Sequence, residues 1–177
     1  SERLLAGGLV VLLTVVHATN RRNSGGLQIV FTLLKVGIIV AFVVGAVLLV
    51  QTPQPVQFFP AVGDGSILTS PEFAVALIYV SYAYTGWNSA TYLSSELENP
   101  QRNIPLILIA GTFTVTLLYV GLNFAFLYAA PMNSMAGEVE VGFIAAEAAF
   151  GPAGGRFTGI VLATLLVSTV SAMVMAG

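Results

Sequence analysis

The few charges of this 177-residue chain are gathered into short clusters, and what lies between them dictates the fold. No acid or base lies between Arg3 and Arg21, between Lys35 and Asp64, or between Glu72 and Glu96. None lies between Arg102 and Glu138, and none follows Arg156. About 20 apolar residues in a helix cross the hydrocarbon of a bilayer. A chain in hydrocarbon must also satisfy its own backbone, which leaves the helix as the natural solution for runs of this kind. Only 8% of residues are charged, against about 25% in a soluble domain. A soluble globular domain and a disordered tail are both excluded. The net charge of −2 provides no basic patch for nucleic acid. There is no cysteine and one histidine, so thiol chemistry and a multi-histidine metal site are excluded. No cofactor is indicated. Paired carboxylates and a Ser/Lys dyad at suitable depth are lacking as well, so no residue is read as catalytic and the chain is not read as an enzyme.

The expected class is an all-α integral membrane protein with the lipid bilayer as its constant partner. Five spans are expected near residues 4–18, 27–50, 73–95, 105–130 and 155–177. The chain opens on Ser1 and its last apolar run stops at Gly177 with no polar flank, so it reads as an internal piece of a longer membrane protein. Arg21 and Arg22 mark the first loop and Arg102 the third, whereas the Gln51–Glu72 loop holds Pro53, Pro55, Pro60 and Asp64 and no Lys or Arg. Basic loops stay cytoplasmic, which puts the first and third loops inside. The Gly/Ala-rich stretch 141–155 is expected to be a short re-entrant or surface helix with Glu147 in solvent.

Polar groups are concentrated in the third span. After apolar Phe73–Val80 it reads Ser81-Tyr82-Ala83-Tyr84-Thr85-Gly86-Trp87-Asn88-Ser89-Ala90-Thr91-Tyr92. Gly in a helix interior costs about 1 kcal/mol relative to Ala, so Thr85-Gly86 is the expected break. Backbone groups freed there are tolerated only where they line a cavity or bind something, as in the discontinuous helices of secondary transporters. The alternative is an unbroken helix whose hydroxyls and amide bond to its neighbours. The second span contains Lys35, about 12 Å along a helix axis from Leu27. A mid-bilayer lysine costs roughly 3 kcal/mol on insertion scales. Such a residue points to a functional site, or to a stem that snorkels to the surface. Gly37, Ala41 and Gly45 form a small-residue stripe suited to close packing rather than chemistry. His17 reads as interfacial, and Glu96, Glu98 and Arg102 as members of a wet loop ended by Pro105 at the start of the next helix.

The strings Tyr82-Ala83-Tyr84-Thr85-Gly86-Trp87-Asn88 and Ser95-Glu96-Leu97-Glu98-Asn99-Pro100-Gln101-Arg102-Asn103-Ile104-Pro105 resemble those of amino-acid permeases. The nearest resemblance is to the L-type branch of the amino acid–polyamine–organocation superfamily, and Thr32-Leu33-Leu34-Lys35 is similar to its fifth helix. The resemblance covers essentially the whole chain, as helices four to eight of about twelve. It implies part of a five-plus-five inverted-repeat bundle of the leucine-transporter type, with the third span as the discontinuous sixth helix.

By that resemblance Tyr82 closes over a bound amino acid, and Ala83, Tyr84, Thr85 and Gly86 form its pocket. Asn88 is the polar residue beside the unwound segment. Lys35 stands where a sodium ion sits in other relatives, with a partner on the eighth helix near Ser168 or Ser171. The implied activity is secondary active transport of amino acids in the cell membrane, by sodium-independent exchange or proton-coupled uptake. A channel and a structural membrane subunit remain the alternatives, and an accessory subunit stays open.

Overall fold

A computed structural model describes residues 7–8, 10–11, 14–15, 21–88 and 97–176. Most of the expected first span, with His17, lies outside the described residues, as do 89–96, the end of the expected third span. The described residues contain helices and no strand. They fall into two compact units, residues 1–55 with 118–177, and residues 56–117.

Helix α1 runs Arg21–Leu49, and the arginines expected in a loop lie in its first turn. Gly25 and Gly26 do not stop it, because the hydrogen-bond ladder of a 29-residue helix absorbs a propensity penalty of about 1 kcal/mol per glycine. In the loop that follows, Asp64 folds the chain back by accepting from the Ala61 N–H at 2.7 Å, and Gly63 takes φ 108°. A 3-10 turn, Asp64–Thr69, leads to helix α2, Pro71–Ala83. Its start is written locally. Ser70 Oγ caps the Phe73 N–H at 3.1 Å, Pro71 occupies the first position, and Glu72 lies at the positive end of the helix dipole.

Helix α3, Pro100–Ala129, begins five residues ahead of Pro105, so the Asn99–Pro105 motif is a helix start rather than a loop. Pro100 has no N–H to lose at the first position. Asn99, at φ 50°, offers its carbonyl to the N–H groups of Arg102 and Asn103. The Asn103 side-chain amide donates back to the Glu98 carbonyl at 2.6 Å. A single turn, α4 (Met132–Met135), precedes α5, Val141–Ala176. The expected short helix is the leading part of α5, with Glu147 exposed. A break at Gly151 separates it from the long apolar part. Gly151 has φ 75° and ψ −179°, a conformation open in practice only to glycine, and Pro152 starts the second part.

In the unit formed by α1, the end of α3, α4 and α5, the buried residues other than Met135 of α4 are small. Ala46, Ala125, Ala129, Ala145, Ala149, Ser168 and Ser171 are all below 9% exposed. Helices without a hydrophobic driving force between them associate through such close contacts. Phe42 fills the space left over, edge-on to Phe126 at 5.7 Å and to Phe150 at 5.6 Å. Gly45 of the small-residue stripe faces Phe150, where an added Cβ would lie 3.2 Å from the ring, while Gly37 meets nothing within 4 Å. Outside these contacts the helices present Leu, Ile, Val and Phe outward. Among the described residues, three helices, Gln28–Leu49, Pro100–Ala129 and Val141–Met173, are long and apolar enough to cross a membrane.

Candidate functional site

The α-helical ladder of α2 ends inside an uncharged run. Ala83 is its last residue, Tyr84 follows at φ −102° and ψ 6°, and Thr85–Asn88 continue as a 3-10 turn. Gly86 is not among the glycines with positive φ, so its contribution is space rather than a left-handed backbone. A Cβ there would meet nothing within 4 Å. Beside this segment lies an open cavity of about 320 Å³, walled by Ala83, Tyr84, Gly86 and Trp87 on one side and by Ile107, Leu108, Gly111, Thr112 and Val115 of α3 on the other.

The structure brings Ala83, Tyr84 and Gly86 to that cavity, and not all of the pocket residues that the resemblance implies. Tyr82 is 70% exposed and does not line it. Thr85 does not line it either, and its hydroxyl donates to the Tyr82 carbonyl at 2.8 Å, satisfying one of the groups freed where the ladder ends. Asn88 closes the 3-10 turn and is outside the lining. The α3 wall was not anticipated. Its signal was present as Thr112, Thr114 and Thr116, three hydroxyls at alternate positions with Gly111 beside them, of which Thr112 and Thr116 lie one turn apart on the same helix face.

A second polar cluster lies in the other unit. Half-buried Lys35 on α1 donates from Nζ to Thr169 Oγ1 on α5 at 3.3 Å, and Thr169 in turn donates to the Leu165 carbonyl at 3.1 Å. The hydroxyl that Lys35 reaches is thus the sequence neighbour of Ser168. Ser168 and Ser171 lie on the buried face of the same helix, each 1% exposed. Ser168 Oγ has no hydrogen-bond partner among the described residues. No group of three or more His, Cys, Asp or Glu that could hold a metal occurs among the described residues.

Long apolar helices, a helix that stops in an uncharged run and a lysine held within such a helix define a multi-pass membrane protein. The family model for amino acid permeases matches residues 1–177 throughout, and the chain belongs to that family. It is similar to the b(0,+)-type amino acid transporter 1 of Mus musculus, with 32% identity over 124 residues, 70% of this chain and 25% of the relative. The human cystine/glutamate transporter is 31% identical over 125 residues, 70% of this chain and 24% of the relative. The methylthioribose transporter of Bacillus subtilis is 27% identical over 120 residues, 68% of this chain and 24% of the relative. The chain therefore spans about a quarter of the length of the curated relatives it matches. The family and these relatives are transporters, not enzymes. No solved structure matches the chain.

Proposed function

We propose that the complete protein carries an amino acid across the cell membrane by alternating access, without sodium, as an exchanger or a proton-coupled carrier. The observation that carries this reading is the stop of α2 at Ala83 with an open cavity beside it. An uncharged helix in hydrocarbon has no reason to give up its ladder unless the freed groups serve a ligand or a cavity. The substrate then lies against Ala83, Tyr84 and Gly86, with the α3 wall receiving its side chain. Tyr82, exposed one residue ahead of that lining, closes over it, and Thr85 and Asn88 shape the ends of the segment. The names of the matched relatives favour an amino acid, while the methylthioribose transporter marks how far a related pocket diverges.

In this reading Lys35 ties the α1 helix to α5 through Thr169, in place of a bound cation. The buried Ser168 hydroxyl supports a polar neighbour supplied by the rest of the protein, because a buried orphan hydroxyl costs about 1–3 kcal/mol. The five spans belong to a five-plus-five inverted repeat with the basic loops inside. An accessory subunit is compatible with this arrangement and is not required by it.

Counterflow in liposomes tests the reading. Vesicles holding the complete protein are loaded with unlabelled amino acids and given one labelled amino acid outside, without sodium. Labelled uptake that depends on internal substrate is expected. Flux that neither saturates nor responds to internal substrate would replace the carrier with a channel, and a folded protein that moves no solute would leave a structural subunit.

A further inference from the structure

Beside the cavity a hydrogen-bond chain runs from the segment after α2 into α3. Thr116 Oγ1 donates its one proton to the Thr112 carbonyl at 2.8 Å. The Tyr84 hydroxyl lies 2.9 Å from the same Thr116 oxygen. With the threonine proton already committed, Tyr84 must be the donor and Thr116 the acceptor. Tyr84 is also the residue at which the backbone leaves the α-helix. Its N–H reaches the Ser81 carbonyl at 3.1 Å, and its φ and ψ of −102° and 6° fall in the sparsely populated bridge region. The 3-10 turn that follows has few ladder bonds of its own and bears Gly86 and Trp87 on the cavity. One side-chain bond, made across 32 residues of sequence, therefore joins the turning point of the backbone to α3, one turn beyond Thr112 of the opposite cavity wall.

We propose that Tyr84 and Thr116 are a pair of positioning residues: their hydrogen bond latches the segment after the α2 break against α3 and sets the width of the substrate cavity. The proposal rests on the reading of this cavity as the substrate's. Both hydroxyls remain on the protein and neither is consumed by substrate. Loss of either leaves the segment free to shift on the Tyr84 backbone, so the pair governs affinity and selectivity rather than folding.

The test uses the complete transporter in a cysteine-free background with Gly86→Cys as reporter. A Cβ at this position has open space around it, so the reporter fits. Alkylation of the new thiol by a small methanethiosulfonate reagent is timed with Tyr84→Phe, with Thr116→Val, with both, and with Thr116→Ser. Each single loss is expected to change the rate by roughly two- to tenfold, the scale of one hydrogen bond's net contribution. The double variant is expected to match either single one, because both remove the same bond. Thr116→Ser, which keeps the acceptor, is expected to react like the parent. In the background with Gly86 restored, Tyr84→Phe is expected to shift KM for amino-acid uptake and alter the ranking of substrates. Unchanged alkylation in the single variants, or effects that multiply in the double, would overturn the latch. So would a transporting Tyr84→Phe variant with the parent's KM and substrate ranking. A parent that takes up no amino acid while the alkylation series behaves as expected would overturn the transport reading and leave the latch standing.

Discussion

Replacing Lys35 by methionine separates the ammonium from its stem. The substitution keeps an unbranched apolar side chain on α1 and removes the donor that reaches Thr169 Oγ1. A hydrogen bond from a charged group contributes about 1.5–3 kcal/mol. The Lys35–Thr169 separation of 3.3 Å exceeds the usual N–H···O range, so the lower end of that interval applies. About 1.5 kcal/mol corresponds to roughly a tenfold change in an equilibrium. If the link between α1 and α5 holds one state of the transport cycle, the initial rate of counterflow should fall by about that factor or more. Insertion works in the opposite direction. Removing a mid-bilayer ammonium relieves a penalty of roughly 3 kcal/mol, so Lys35→Met should insert and fold at least as well as the parent. The expected result is a slow transporter with undiminished thermal stability in detergent, measured at matched protein in reconstituted vesicles. Thr169→Val should move the rate in the same direction but less, because the ammonium remains. Counterflow of Lys35→Met within about twofold of the parent would refute the reasoning, since the ammonium would then contribute less than one weak hydrogen bond.

Two further outcomes follow from the backbone and the cavity. Gly151→Ala places a Cβ where φ is 75° and ψ is −179°, at a cost of about 1–3 kcal/mol; thermal unfolding of the purified complete protein should shift downward, and an unchanged midpoint would mean that the break at Gly151 is not held in that conformation. Gly111 lines the cavity with open space around it, so Gly111→Leu should fold normally yet abolish uptake by filling the site; parent-like counterflow would remove this cavity from the substrate path.

The helices were legible because hydrocarbon leaves the backbone little choice. Uncharged runs identify α1, α3 and the long part of α5, and Ser70-Pro71-Glu72 writes the start of α2 in local chemistry. The end of the α-helical ladder close to Thr85-Gly86 was also legible, though its mechanism was not. The ladder gives way at Ala83 and Tyr84, and Gly86 supplies open space without a positive φ. The Asn99–Pro105 motif misled in a simple way. Two prolines suggested a loop, but Pro100 is harmless at a first position and Asn103 ties the turn to Glu98.

What the sequence by itself determined is where the long apolar helices α1, α3 and α5 form and which residue types stand out within them. Those follow from hydrogen bonds closed four residues apart and from transfer free energies, both local properties. The tertiary structure decided which polar groups meet. Lys35 finds Thr169 and not the residue before it in sequence because successive positions on a helix point about 100° apart, so a change of one residue is a change of face. Tyr84 finds Thr116 for the same reason. In helices that are apolar on nearly every side, hydrophobicity does not mark the face that meets a neighbour. Close packing of alanines, glycines and phenylalanines sets that register, and only the folded chain expresses it.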